Sequence, residues 1–203
     1  MTSGRAGRLP RDARRIQLLA AAREVFVEQG YHAAGMDDIA ERAGVSKPVL
    51  YQHFPGKYEL YVALLDRAVE ALLTSVLEAM QTPADNRERV RATIQAYFAF
   101  VAGEGAYRLV FESDLANDVL VGDRIASVQR RCARVLAELL RQDTDLADEE
   151  ARLLATGVVG MAQVCAREWA EHEDSVPLEE AVKLVATLVW RGMRGLPRQD
   201  SDA

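Results

Sequence analysis

Hydrogen-bond donors are concentrated in the stretch AGVSKPVLYQHFPGK, residues 43–57. Side chains of this kind bond the base edges and phosphate oxygens of duplex DNA. The chain carries a net charge of −6, but the charge is unevenly spread. Residues 1–57 hold nine Lys and Arg against six Asp and Glu, a balance of +3, whereas residues 58–203 hold 16 against 25, a balance of −9. The donors therefore lie in a mildly basic region, which favours a polyanionic partner. They are Lys47, Tyr51, Gln52, His53 and Lys57.

A tight turn between two short helices would position these donors. Apolar residues at 36, 39, 40 and 43 predict a first helix, and Gly44 supplies the left-handed backbone that ends it. Ser46 is a good N-cap, and Pro48 falls in the first turn of a second helix. The pattern predicts a helix-turn-helix, with a preceding helix over residues 11–29 that Gly30 ends.

The second short helix would point its polar side outward. If Leu50 turns inward with Val45 and Phe54, then Lys47 and Gln52 can address base edges in a major groove. The other outward residues would contact the backbone or a thymine methyl group: Tyr51, His53 and Lys57 at phosphates, and Val49 at the methyl. The alternative is that each outward side chain is only solvated.

The rest of the chain also has helical periodicity, and no alternating strand pattern is evident. The fold class predicted is all-α, with about nine helices. After a long helix that begins near Lys57, helices are expected over 86–102, 105–114, 117–142, 147–173 and 177–195. The domain boundaries predicted are a mobile basic tail over 1–10, a helix-turn-helix domain over 11–57, a helical domain over 58–196 and a mobile tail over 197–203.

Cysteine usage and hydropathy indicate a cytoplasmic protein. Cys132 and Cys165 are 33 residues apart in apolar helical surroundings, which favours free core thiols over a disulfide or a zinc site. The apolar run after Arg15 is too short for a secretory signal, and no stretch reaches the roughly 20 apolar residues of a membrane span. No cofactor or metal is expected.

The motifs MDDIAERAGVS at 36–46 and LYQHFPGK at 50–57, with Phe26 and the pair GY at 30–31, resemble the TetR family of transcriptional regulators. The resemblance covers roughly residues 11–72. It implies a three-helix DNA-binding domain followed by a larger helical domain for ligand binding and dimerisation. Many relatives carry Ser or Thr where Gly35 stands, so a phosphate contact there would need backbone N–H groups. The predicted DNA-contact residues are Gly35, Lys47, Pro48, Val49, Tyr51, Gln52, His53 and Lys57.

Pairing of two chains is expected, because one recognition helix reads only a few base pairs. Two stripes on the last two helices suit such pairing, one apolar and one with small residues that permit close approach. The resemblance implies a homodimer through these helices; the alternative is that the stripes pack within their own chain. The candidates are Leu153, Gly157, Gly160, Val164, Val182, Val185, Ala186, Val189 and Met193.

An inducer cavity is expected by resemblance among the helices after the DNA-binding domain. Its lining would be mostly apolar, which favours a hydrophobic small molecule. The implied mechanism is a repressor that binds a palindromic operator as a dimer and is released when the ligand binds. Ordinary core packing is the alternative for each candidate lining residue. These candidates are Phe98, Tyr107, Phe111, Met161, Cys165 and Trp169.

The alternatives to a ligand-responsive regulator are an enzyme and a DNA-binding dimer without a small-molecule ligand. An enzyme is disfavoured, because GEGAYR at 103–108 lacks the third glycine of a dinucleotide loop and His172 is a lone imidazole between two acids. A DNA-binding dimer without a small-molecule ligand would instead have a filled core where the cavity is expected.

Overall fold

The computed structural model describes residues 9–81, 85–103, 115, 118–172 and 175–193. Within these ranges the chain is all-α, which confirms the predicted fold class, and the number of helices is close to the number expected. The helix predicted over 105–114 lies outside the described residues, as do residues 1–8 and 197–203 of the two predicted tails. The described residues form eight helices, which are α1 Arg11–Ala33, α2 Met36–Arg42, α3 Lys47–His53, α4 Lys57–Gln81, α5 Asn86–Ala102, α6 Val119–Asp143, α7 Asp148–Glu171 and α8 Leu178–Met193.

Helices α1 to α3 pack around large apolar side chains. Leu18, Ile39 and Leu50, one from each of the three helices, are completely buried. Helix α1 is interrupted at Gly30, whose φ of 77° is a conformation that glycine adopts readily. The predicted end of the first helix therefore coincides with this interruption, and the chain turns there toward α2.

Aromatic rings join α1 to the start of α4. The Tyr61 ring lies 5.4 Å from the Phe26 ring and 5.1 Å from the Tyr31 ring, in edge-on arrangements that suit aromatic pairs. The first turns of α4 thus contribute to the N-terminal core, and the same helix continues as one rod into the rest of the molecule.

Helices α4 to α8 form the larger, C-terminal part. Two hydrogen bonds define its ends: Tyr58 Oη donates to Asp118 Oδ1 at 3.1 Å, and Asn86 Nδ2 donates to Asp143 Oδ2 at 2.9 Å. The first bond lies at the near end, beside α1 to α3. The second lies at the far end, where α5 begins and α6 ends. None of the helices in the described ranges has the length and apolar character needed to cross a membrane.

Candidate nucleic-acid interface and ligand cavity

The turn between α2 and α3 is closed by backbone hydrogen bonds. Gly44 has φ 64°, its N–H donates to Glu41 O at 2.9 Å, and the Val45 N–H donates to Ala40 O at 3.0 Å. This is the Schellman pattern that ends helices at a left-handed glycine. Gln17 of α1 adds a further bond, its Nε2 donating to Ala43 O at 2.8 Å. The angle between the two short helices is therefore held by α1 as well as by the turn.

Helix α3 presents its polar side outward, as the periodicity predicts. Leu50 is completely buried and Phe54 nearly so, and together they anchor the helix. Tyr51 is 48% exposed, which leaves its hydroxyl accessible. The remaining predicted contact residues of α3 are also at the surface, with Lys47, Pro48 and Gln52 exposed and Val49 and His53 half-buried.

Two neighbours modify the charge of this face. Lys47 Nζ forms an ion pair with Asp37 Oδ1 of α2, and that hydrogen bond raises the lysine pKa. Partial burial, followed by repulsion from Arg11, Arg15 and Arg14, lowers the pKa of His53 below its usual 6.5. His53 is thus mostly neutral at pH 7 and offers an N–H donor to a phosphate without a full charge.

Lys57 has a structural role that the sequence pattern does not reveal. Its Nζ donates to three backbone oxygens, those of Tyr31, His32 and Ala34, at 2.8, 3.1 and 2.9 Å. An ammonium group has three hydrogens, so all its donors are used within the chain. The ammonium also lies 4.7 Å from the centre of the Tyr31 ring. Lys57 therefore satisfies the carbonyls at the end of α1, and its side chain has no N–H left for a phosphate in this arrangement.

Gly35 is the N-cap of α2, as predicted. Its N–H donates to Asp38 Oδ2 at 3.0 Å, and a Cβ at this position would lie 2.9 Å from that same oxygen. A side chain at residue 35 would therefore displace the Asp38 carboxylate. The predicted contact between this helix start and a phosphate would have to use the N–H groups that follow Gly35.

The C-terminal part encloses a cavity of about 530 Å³ in its far half. This volume lies within the range of about 300–1,000 Å³ that is typical of small-molecule sites. Most of its wall is apolar, from α4 to α8. The apolar lining residues are Val76, Met80, Val90, Ile94, Tyr97, Val128, Cys132, Leu136, Leu139, Leu140, Val158, Val159, Ala162, Val189 and Trp190.

The cavity lies beside the predicted lining residues but is lined by other side chains of the same helices. Phe98 is completely buried and packs against Trp169 with 5.9 Å between ring centres, and Met161 and Cys165 pack against the core. None of these four residues lines the cavity, although its wall includes their sequence neighbours Tyr97, Ala162 and Gln163. The interpretation of ordinary core packing describes them. Tyr107 and Phe111 lie outside the described residues.

The cavity has a polar end where the start of α5 meets the end of α6. Asn86 and Asp143 are hydrogen-bonded there, and Arg89 Nη1 donates to Asn86 Oδ1 at 2.8 Å. The wall itself holds a neutral thiol, because burial raises the pKa of Cys132 to about 11. A ligand that fits this space needs an apolar body and one polar end. The polar lining residues are Asn86, Arg89, Thr93, Asp143, Thr144 and Gln163.

The predicted pairing residues fall into two groups. Leu153 and Val164 of α7 are 73% and 69% exposed, with Gly157 and Gly160 between them at the surface of the same helix. The α8 residues Val182, Val185, Ala186 and Val189 are instead at most 9% exposed, so they pack within their own chain. The side chain of Met193 lies outside the described residues. A different face of α8 is open, where Leu184 and Leu188 are 57% and 59% exposed.

Helical periodicity does not distinguish a buried face from an exposed one on a helix that is apolar around most of its circumference. The run LVATLVW in α8 has two apolar faces, and the face that the sequence predicts for pairing is the one buried within the chain. In α5, Asn86, Arg89 and Thr93 recur at helical spacing beside Val90 and Ile94, which is a signal for a polar strip along an apolar wall.

Comparisons with known proteins agree with this architecture. Residues 18–64 match the family described as "Bacterial regulatory proteins, tetR family", and residues 75–201 match "Tetracyclin repressor-like, C-terminal domain". The HTH-type transcriptional activator FasR of Mycolicibacterium smegmatis is 44% identical over 194 residues, which cover 95% of this chain and 89% of that protein.

Two solved structures share the fold over most of the chain. A TetR-like transcriptional regulator from Rhodococcus sp. RHA1 has a TM-score of 0.72 at 28% identity, covering 93% of this chain and 100% of that one. FadR of Bacillus subtilis, in complex with stearoyl-CoA, has a TM-score of 0.71 at 21% identity, covering 86% of this chain and 96% of that one. These relatives are transcription regulators and not enzymes. By its matched regions and its 44% identity to FasR, the chain belongs to the TetR family of bacterial transcriptional regulators.

Proposed function

We propose that this protein is a homodimeric regulator that binds a palindromic operator through α3 and changes its DNA occupancy when an acyl ligand enters the far-end cavity. The observation that carries the proposal is the 530 Å³ cavity in the domain that α4 connects to the helix-turn-helix. The proposed DNA binding and the two free thiols, which are typical of a reducing compartment, support a cytoplasmic location.

The outward face of α3 supports sequence-specific DNA binding. Gln52 and Lys47 would meet base edges, Tyr51 and His53 would meet phosphates, and Val49 would contact a thymine methyl group. The phosphate contact predicted for Lys57 is replaced by an indirect role, since its ammonium holds the end of α1.

Exposed apolar side chains on α7 and α8 support pairing of two chains. The pairing surface we propose consists of Leu153, Gly157 and Val164 on α7 with Leu184 and Leu188 on α8. Outside the backbone of its own helix, a Cβ added at Gly157 would meet no atom of the described residues within 4 Å, so their packing does not require a glycine there. A glycine on an open helix face permits close approach of a partner helix. Pairing would present two α3 helices to half-sites roughly 34–36 Å apart.

An acyl ligand fits the shape and polarity of the cavity. Its wall is mostly apolar along α5, α6 and α7, and four of its polar residues, Asn86, Arg89, Asp143 and Thr144, lie at one end. The B. subtilis FadR structure holds stearoyl-CoA, and FadR shares this fold. A long hydrocarbon chain in the apolar part, with its head group at the polar end, is the ligand class we propose.

Polar contacts between α4 and α6 offer a route for coupling. Arg124 Nε bonds Asp66 Oδ1 at 2.5 Å, and Arg131 Nη1 bonds Glu70 Oε2 at 3.3 Å. Helix α6 also lines the cavity, through Val128 and Leu136. A ligand that shifts α6 would therefore move α4 and, with it, α3. By thermodynamic linkage, the ligand must change DNA affinity by the same factor as DNA changes ligand affinity.

The sign of regulation depends on where the operator lies relative to the promoter. Repression is the outcome predicted from the family resemblance, whereas the M. smegmatis relative is named an activator. A transcription assay on the selected operator decides between the two outcomes.

Selection of bound fragments from random DNA is the first test. We expect a palindrome, and DNA affinity that changes at least severalfold when palmitoyl-CoA is added. Gln52→Ala should relax base preference at one position of each half-site by about 1–3 kcal/mol. No enrichment of any duplex would contradict the proposed DNA binding, and an unchanged affinity with saturating palmitoyl-CoA would contradict the proposed response.

A regulator without a small-molecule ligand would have a filled core in this domain. The cavity supports the ligand-responsive interpretation instead, and Val159 and Ala162 of its wall belong to the buried face of α7, which is made of small side chains. They are Ala151, Ala155, Val159, Ala162 and Ala166.

A further inference from the structure

Arg89 has an unused donor at the polar end of the cavity. Its Nε is shielded from solvent and has no hydrogen-bond partner among the described residues. Another nitrogen of the same guanidinium, Nη1, donates to Asn86 Oδ1 at 2.8 Å, which fixes the group at the start of α5. Buried N–H groups are nearly always paired, so an unpaired one in a cavity wall indicates a missing acceptor.

The neighbouring polar groups are already paired. Thr93 Oγ1 donates to Arg89 O at 2.8 Å, and Thr144 Oγ1 donates to Leu140 O at 2.6 Å. The Asn86 amide donates to Asp143 at 2.9 Å. Arg89 Nε is thus a solvent-shielded donor in the cavity wall that the described residues leave without a partner.

The charges at this end select the kind of acceptor. Arg89 is positive and Asp143 negative, and the amide of Asn86 lies between them in the hydrogen-bond chain. A free carboxylate would gain from Arg89 but would be repelled by Asp143. An uncharged carbonyl oxygen can accept from the arginine without that repulsion.

We propose that Arg89 binds the carbonyl oxygen of an acyl ester or thioester and thereby distinguishes such a ligand from a chain without a carbonyl. This inference rests on the proposed acyl ligand and deepens it. Asn86 and Asp143 are exposed, so the polar end opens to the surface and the group beyond the carbonyl would remain outside the cavity. Recognition then depends on the hydrocarbon chain and the carbonyl more than on the remainder of the ligand.

The test compares two ligands that differ only at the carbonyl. Palmitoyl-CoA and its thioether analogue S-hexadecyl-CoA are titrated calorimetrically into the full-length protein and into Arg89→Met, which retains the length and apolar body of the side chain. We expect the unmodified protein to prefer the thioester by about 10- to 100-fold, the range for one hydrogen bond to a charged donor. Arg89→Met should lose that preference by weakening the thioester alone.

Arg87→Met is the matched control, because Arg87 is an exposed arginine one half-turn away on α5 and does not line the cavity. It should bind both ligands as the unmodified protein does. Palmitate, tested in parallel, should bind more weakly than methyl palmitate, because Asp143 repels its carboxylate.

Three results would overturn the inference. They are an unmodified protein without preference between the two CoA ligands, an Arg89→Met variant that keeps the preference, and a variant that loses both ligands equally while its circular dichroism is unchanged. If Arg89→Met fails to fold, Arg89→Leu provides the same comparison, because leucine also lacks a donor. Failure of every acyl ligand to bind the unmodified protein would instead contradict the proposed function itself.

Discussion

The N-terminal helices and the C-terminal domain use the same secondary structure for different kinds of packing. Around α1 to α3, large side chains such as Leu18, Phe26 and Leu50 fill the interior. In the C-terminal domain, the buried face of α7 consists of four alanines and one valine, and the opposing helices leave a cavity of about 530 Å³. The two parts thus differ in how completely side chains fill the space between their helices.

Polar contacts join helices in both parts of the molecule. The N-terminal part is joined by several bonds across its helices, including Gln17 to Ala43 O and Arg42 to Glu24 and Glu28 at 3.1 and 2.7 Å. At the cavity, Arg89 Nε has no acceptor among the described residues. The two parts thus differ in that the solvent-shielded donor without a partner lies in the part that holds the cavity.

Shortening a matched pair of buried leucines gives the largest expected effect. Leu18 lies in the filled core and Leu140 in the cavity wall, and both are buried on helices. Leu18→Ala should lower the free energy of unfolding by about 3–5 kcal/mol, and Leu140→Ala by about 2 kcal/mol, because Leu140 already borders a void and has fewer contacts to lose. Urea denaturation followed by circular dichroism measures both. Equal losses would remove the distinction between the two cores.

Charging the open face of α8 should separate the proposed dimer. Leu184→Glu combined with Leu188→Glu should cost about 3 kcal/mol of association, or more than 100-fold in the dimer dissociation constant. Leu120→Glu is the control, since Leu120 is a similarly exposed leucine on α6. Analytical ultracentrifugation distinguishes the outcomes, and a double variant that stays dimeric would place the pairing surface elsewhere.

Removing the Lys57 ammonium should destabilise the packing between the end of α1 and the start of α4. Lys57→Met leaves three carbonyl oxygens near the end of α1 without their donor, and we expect a loss of about 1.5–3 kcal/mol in unfolding free energy. Lys47→Met removes an exposed lysine of α3 and should leave stability unchanged. Should Lys57→Met weaken DNA binding at full stability, a direct phosphate contact would be the better explanation.

Neutralising Asp37 should have the smallest effect, on the DNA face alone. Asp37 pairs with Lys47, so Asp37→Asn should free that lysine and raise operator affinity by about two- to fivefold, as expected for an exposed ion pair. Glu41→Gln is the control on the same helix, because Glu41 is exposed and does not pair with Lys47. Fluorescence anisotropy at two salt concentrations measures both variants. Equal gains would mean that charge alone, and not the ion pair, controls affinity.

Local sequence was sufficient where the signal lies in a few consecutive residues. The glycine turn at Gly44, the N-cap positions at Gly35 and Ser46, and the outward set on α3 were all predicted from their spacing, and the structure places them accordingly. Backbone preference and helical period act over four to eight residues, so neighbouring residues determine them without help from distant parts of the chain.

Positions that depend on distant neighbours were missed or displaced. Lys57 was expected at a phosphate, but the carbonyls that it binds lie 23 to 26 residues earlier in the chain. Phe98 and Trp169 were expected in a cavity wall and instead pack against each other. Both results depend on which side chains meet after folding, which residue types alone do not specify.

Residue order by itself determined the all-α class, the helix-turn-helix and the polar face of its second helix. Only the tertiary structure decided which apolar face of α8 is buried, where the cavity lies and which arginine reaches it. The reason is physical: a helical period defines the faces of one helix, whereas a void or an open surface results from how five packed helices fill the space between them.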